Sequence, residues 1–145
     1  MNPFLLPRTE RLADWKVFRD SLSAFSEEDQ LRLVASYWAQ APLLKVAYDP
    51  ENPKSWPSPW EAVHDGNWCR DSTAIGMDFT LRLSGWEPSR LELRLIDDHP
   101  NSNIVLVLKV DGTIALNYEW NTVTEFPSDF HTLRKYHWDG RHYSG

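Results

Sequence analysis

Ser55–Leu83 reads SWPSPWEAVHDGNWCRDSTAIGMDFTLRL. It carries the chain's only cysteine, Cys69, and three of its eight tryptophans, Trp56, Trp60 and Trp68. Glu61–Gly66 predicts a short helical turn that the glycine ends. A longer helix is expected over about Arg70–Ser84, with Gly85 behind it. Thr73, Ala74, Met77 and Leu81 line one side and Ile75, Phe79 and Leu83 another. A helix apolar over so much of its circumference is central to a domain. Cys69 stands at its N-terminal end, where unpaired N–H groups and the helix dipole favour a thiolate. A base on an adjacent strand, and an Asp or Asn on the next to orient it, would complete a nucleophilic site.

The residues that follow read as strands. Arg90–Ile96 alternates, with Leu91, Leu93 and Leu95 on one face and Glu92 and Arg94 on the other. Asn103–Val110, NIVLVLKV, has the near-continuous β-former composition of a central strand. Asp111-Gly112 signals a tight hairpin, and Thr113–Tyr118 returns antiparallel. Within Asp129–Trp138, the run HTLRKYHW offers one more strand. Asp139–Gly145 is polar and is expected to fray.

Upstream, Asp49–Pro59 holds four prolines, which lack an N–H and restrain their neighbours, so an ordered non-helical strap is predicted. Thr9–Phe25 predicts a helix capped by Thr9, with Leu12, Trp15, Phe18, Leu22 and Phe25 recurring at spacings of three and four. Ser26 caps a second helix, whose first-turn acids suit its positive end and which Pro42 stops. Together they form an αα-hairpin. Leu43–Tyr48 reads as a short strand or an extended connection. Met1–Arg8 is an arm that Pro3 and Pro7 keep extended, with Phe4, Leu5 and Leu6 on its apolar side.

At 145 residues, with 41% hydrophobic and 25% charged, the chain is expected to be one domain. Residues 1–48 form the arm and hairpin, and 49–145 the strap with a helix-on-sheet body. The fold class is α+β: a helical hairpin, then a central helix packed on an antiparallel sheet of three or more strands. A net charge of −6 with scattered basic residues argues against nucleic acid as a partner. No apolar run approaches the roughly 20 residues that span a bilayer, and no membrane association is expected. A single cysteine and no signal-peptide pattern in Met1–Pro7 lead to the expectation of a reducing cytoplasm.

From Trp60 to Tyr118 the chain resembles the transglutaminase-like, papain-type cysteine peptidase fold. NWCRDSTAIGMDFTLRL matches the helix that opens with the nucleophile, which places Cys69 there. Asn103-Ile104-Val105-Leu106 matches the strand that opens with the catalytic histidine, so the resemblance puts Asn103 at the base. Leu116-Asn117-Tyr118 matches the third member, Asn117. An amide cannot take up a thiol proton near neutral pH, so this arrangement lacks its base. His64, five residues before Cys69, is the best substitute. His99 lies four residues from Asn103, about 13 Å along an extended chain. His131, His137 and His142 depend on the C-terminal fold. Their spacings match no zinc signature, and no metal ligands or cofactors are assigned.

A second resemblance, through YDPENPKSWPSPWEAVHDGNWC, GMDFTLRLSGW and LNYEWNTV, is to small proteins of tailed bacteriophages. It implies a phage-encoded protein made in the bacterial host cytoplasm or carried in the virion. Three functions follow as expectations. The first is a non-catalytic binding or structural protein, a virion component or assembly accessory, working through Phe4, Leu5, Trp56, Trp60 and Trp68. The second is a cysteine enzyme of the peptidase, amidase or transglutaminase type, with Cys69, His64 and Asn117. The third is a phage inhibitor of a host protein. The expected partner is another phage protein, in a symmetric assembly, or else a host protein. Core packing is the first reading of Trp56, Trp60 and Trp68, and an aromatic partner-binding rim the alternative.

Overall fold

The computed structural model describes residues 2–43, 49–66, 68–126 and 130–145. Four helices precede the sheet: α1 (Arg8–Ser21), α2 (Glu27–Trp38), α3 (Pro59–Asp65) and α4 (Arg70–Leu83). The strands are β1 (Leu91–Asp98), β2 (Asn103–Val110), β3 (Ile114–Leu116), β4 (Thr124–Glu125), β5 (His131–Trp138) and β6 (Tyr143–Ser144). They form one antiparallel sheet in the order β4-β3-β2-β1-β5-β6. This is the α+β architecture expected, with β2 matching its predicted span. The predicted strand at Leu43–Tyr48 falls, Leu43 apart, outside the described residues.

α4 is the hub. Every residue from Ser72 to Leu81 is buried, between β1 and β2 on one side and the other helices on the rest. One of its hydroxyls ties three elements together. Thr80 Oγ1 accepts from both Trp15 Nε1 at 3.0 Å and Trp38 Nε1 at 2.9 Å, and donates to the Gly76 carbonyl at 2.6 Å. Gly76 is where the Trp38 indole crosses the helix, and a Cβ there would meet ring carbons Cη2, Cζ2 and Cζ3.

Caps decide the helix starts. Ser26 accepts from the Asp29 N–H, as its position predicts, and Ser58 and Glu61 form a reciprocal capping box on α3. Thr9 does not cap α1. The helix begins one residue earlier at Arg8 behind Pro7, whose extended ψ of 153° sets the entry. The arm is not extended as predicted either: Pro3–Leu5 makes a 3-10 turn that Asn2 caps. Phe25 ends exposed after the turn Leu22–Ala24.

The C-terminal stretch is not frayed. Tyr143 on β6 is buried, and its hydroxyl donates to Asp78 Oδ2 at 2.5 Å. The same oxygen accepts from Arg82 Nε at 2.8 Å, while Asp78 Oδ1 is buried with no partner among the described residues. Burial pushes the Asp78 carboxyl up, with Arg82 opposing. Burial and then the Asp78 charge hold the Tyr143 phenol well above its ordinary 10.0. Tyr37 is raised too, by burial and by its bond to Asp14.

These phenols make stability depend on alkaline pH. An unfolded chain loses their protons near pH 10 while the native state keeps them, so the native state binds more protons there. Their contribution is complete below about pH 10 and is lost as pH climbs above it. Each is expected to take away up to about 1.4 kcal/mol per pH unit. Urea denaturation from about pH 9 to 11 checks this. Tyr143→Phe should flatten the slope, and an unchanged slope would refute the role given to Tyr143.

Candidate functional site

Cys69 is the N-cap of α4, with extended φ/ψ of −132° and 174°. Its N–H donates to Ser72 Oγ at 2.9 Å, and its carbonyl accepts from Thr73 N at 3.1 Å. The residue is 8% exposed. Trp68 before it packs edge-on against Phe4, ring centroids 5.0 Å apart, under the Arg11 guanidinium. The chain thus delivers the cysteine to the helix start between a buried indole and the first turn.

Asn117 joins this turn to the sheet. It takes a left-handed φ of 71° just past β3. Its Nδ2 donates to the Arg70 carbonyl at 2.8 Å and to the Leu106 carbonyl at 2.9 Å. Its Oδ1 lies 2.9 Å from the Thr73 hydroxyl. All polar atoms of the amide are therefore engaged in fastening α4 to β2 and β3. Arg70 reinforces the joint by donating to the Tyr118 carbonyl at 2.5 Å. Asp71, in the same turn, has its carboxyl pushed up by burial, against a bond from the Leu106 backbone.

Asn103 lies on the sheet face turned away from α4. Leu106, Leu108 and Val110 belong to the core cluster with α4, whereas Val105 and Val107 belong to a second cluster with Tyr118, Phe126 and Phe130. Alternation along β2 then puts Ile104 on the α4 face and Asn103 on the opposite one. Asn103 pairs with Asp98, whose Oδ2 accepts from the Tyr118 hydroxyl at 3.0 Å, on that opposite face. Ile104 pairs with Asp97 and is 55% exposed. The residue at this end of β2 on the α4 face is thus an isoleucine, which has no proton to move.

The histidines lie elsewhere. His64 Nδ1 is 2.9 Å from Asp65 Oδ1 at the end of α3. His99 lies 3.4 Å from Asp97, His137 2.8 Å from Glu92, and His142 3.4 Å from Asp139. His131 is exposed on β5, where it pairs with Asp97 and so shares a face with Ile104. None of them hydrogen-bonds the Cys69 sulfur among the described residues, so the His64–Cys69 pair predicted from spacing does not form.

The binding set divides. Phe4, Trp56 and Trp68 are buried and pack the interior instead of offering a partner surface. Trp56 sits against Tyr136 and Tyr143, and its Nε1 donates to the Asp49 carbonyl. Leu5 and Trp60 are exposed as expected, Trp60 edge-on against Trp15. Trp120 escaped the sequence reading and is 76% exposed, its Nε1 bonded to the Ala39 carbonyl at 3.1 Å. Its signal was a tryptophan in a polar turn, Asn117 to Asn121, with both asparagines left-handed. Trp120 walls a cavity of about 310 Å³ floored by Trp38 and Met77 and edged by Arg70, Asn117 and Leu43. Cys69 does not line it. No group of three or more His, Cys, Asp or Glu side chains able to hold a metal ion occurs among the described residues.

This arrangement is the transglutaminase-like α+β fold. No family model and no curated protein matches the chain. Solved structures of LapG from Legionella pneumophila do. A calcium-bound form superposes with a TM-score of 0.74 at 20% identity, covering 93% of this chain and 78% of that one. An EGTA-treated form gives 0.71 at 23% identity, over 87% and 72%.

Proposed function

We propose that this chain is a non-catalytic binding protein built on a transglutaminase-like scaffold. The observation that carries the reading is that neither Asn103, where the resemblance calls for an imidazole, nor Ile104, which takes the α4 face beside it, can take up a thiol proton. Asn117, the third member, is spent on holding α4 to the sheet. Trp120, Leu43, Leu5 and Trp60 supply exposed apolar anchors of the kind partner surfaces use. One LapG structure is calcium-bound, and among the described residues of this chain no group of three or more acidic, histidine or cysteine side chains could hold such an ion. The phage setting implied by the sequence resemblance belongs to the same proposal, with another phage protein or a host protein as partner. Finding the chain in purified virions would favour the particle role, and its absence the host-directed one.

A cysteine hydrolase is the second reading. It is favoured by Cys69 standing as the N-cap of a long buried helix, the place that the resemblance gives the nucleophile. Its base would come from His131, whose Cα lies two strand spacings from that of Ile104, about 10 Å.

Iodoacetamide labelling at pH 7 separates the two. The binding reading expects Cys69 to react no faster than a free cysteine thiol, and fully only in denaturant. Labelling about tenfold faster than the free thiol, abolished in His131→Ala, would establish the hydrolase reading. Ile104→His is expected to speed labelling of the folded protein. No change there would overturn the assignment of Ile104 to the base position.

A further inference from the structure

The sheet face turned away from α4 gathers positive charge that the linear sequence scatters. Arg94 on β1 stands directly opposite Lys135 on β5, with Val107 of β2 on its other side. Lys109 on β2 pairs with Glu92, one row along. Cations directly opposed across strands are unfavourable unless something sits between them. Glu92 offsets one of the three charges, because its carboxylate pairs with the Arg94 guanidinium and lies 2.8 Å from His137 Nε2. Lys109 and Lys135 make no ion pair among the described residues.

Space accompanies the charge. Arg94, Lys109, Thr113, Thr132, Phe126 and Phe130 surround a cavity of about 640 Å³, with Glu125 at its rim. Phe126 forms one wall, its ring centroid 4.5 Å from Lys109 Nζ and 5.7 Å from the Arg94 guanidinium carbon. Arg94 also donates to Thr132 Oγ1 at 3.0 Å, which fixes its plane. A smaller cavity of about 230 Å³ continues past Arg94 and Lys109 toward His137. The volume suits a small organic molecule. A guanidinium, ammonium groups and hydroxyls together are the donors that phosphate oxygens require.

We propose that this outer sheet face binds a small organic phosphate. Lys109 and Arg94, with the Thr113 and Thr132 hydroxyls, hold the phosphate, Lys135 adds charge from outside the cavity lining, and Phe126 and Phe130 cover the apolar part. Burial, and then repulsion from Arg94 and Lys135 against the opposing pull of Glu92, pushes the Lys109 ammonium below its ordinary value. A bound dianion would reverse that. The site lies on the opposite face from Cys69 and does not depend on whether the cysteine is reactive.

Isothermal titration of the whole chain at low ionic strength tests it, with phenyl phosphate, inorganic phosphate and phenol as probes. Phenyl phosphate is expected to saturate with a Kd of about 1 mM or tighter. Inorganic phosphate should bind more weakly, and phenol should show no saturation. Lys109→Gln should weaken phenyl phosphate about tenfold, Lys135→Gln, outside the lining, should weaken it less, and Lys54→Gln on the strap should leave it unchanged. Three results would overturn the proposal: no saturation by about 10 mM, equal affinity in Lys109→Gln and Lys54→Gln, or inorganic phosphate binding as tightly as phenyl phosphate.

Discussion

Thr80→Val is expected to destabilise the fold by about 2–5 kcal/mol, although it changes shape hardly at all. The hydroxyl is buried in α4 and accepts from the Trp15 and Trp38 indoles while donating to Gly76. Valine removes the acceptor and strands two indole N–H groups where water cannot reach them. Each such orphan costs about 1–3 kcal/mol. Thr80→Ser keeps the oxygen and loses one methyl, for roughly 1 kcal/mol. Urea denaturation at neutral pH checks the pair. If the valine variant falls within error of the serine variant, the shared acceptor is not what holds the two tryptophans.

Gly76→Ala is the second large effect, and its sign runs against helix propensity. Alanine in a helix interior is better than glycine by about 1 kcal/mol. Here the new methyl enters the space of the Trp38 ring, which is fixed by Thr80 below and by Phe4 and Tyr37 at its sides. Overpacking of a rigid aromatic costs about 1–3 kcal/mol and sometimes more. A net loss near 2 kcal/mol is expected, with a change in near-UV dichroism as the indole shifts. Both substitutions break the Trp38–Thr80 contact, so the double variant should lose less than the sum. Strict additivity would show that the two act through separate contacts.

Much of this arrangement was legible in the residues. The start of α4 at Cys69, the span of β2, the Asp111-Gly112 turn and the Ser26 cap rest on local chemistry, which a sequence displays directly. What could not be read depends on register. Which face of β2 looks at α4 is fixed by packing, and a one-residue difference moves every side chain to the other side. Asn103, which the resemblance sets beside Cys69, lies on the far face for that reason. The cation cluster was invisible because Arg94, Lys109 and Lys135 become neighbours only when β2, β1 and β5 pair. The stretch from Asp139 looked frayed because composition counts its polar residues and not the one tyrosine that reaches Asp78. The burial of Phe4, Trp56 and Trp68 shows the same limit, since an aromatic residue reads alike in a core and on a partner surface.

The bond between Asp78 and Tyr143 also bears on how the chain is made. The two residues are 65 positions apart, and synthesis at roughly 5–20 residues per second separates their appearance by about 3–13 s. During that interval α4 exists with a carboxylate that its own segment pairs only with Arg82, while β6 has not yet been translated. The nascent chain therefore passes through a state in which the α4 segment has been synthesised and Phe79 has neither Trp138 nor Tyr143 to cover it. That state is a natural client for ribosome-associated chaperones.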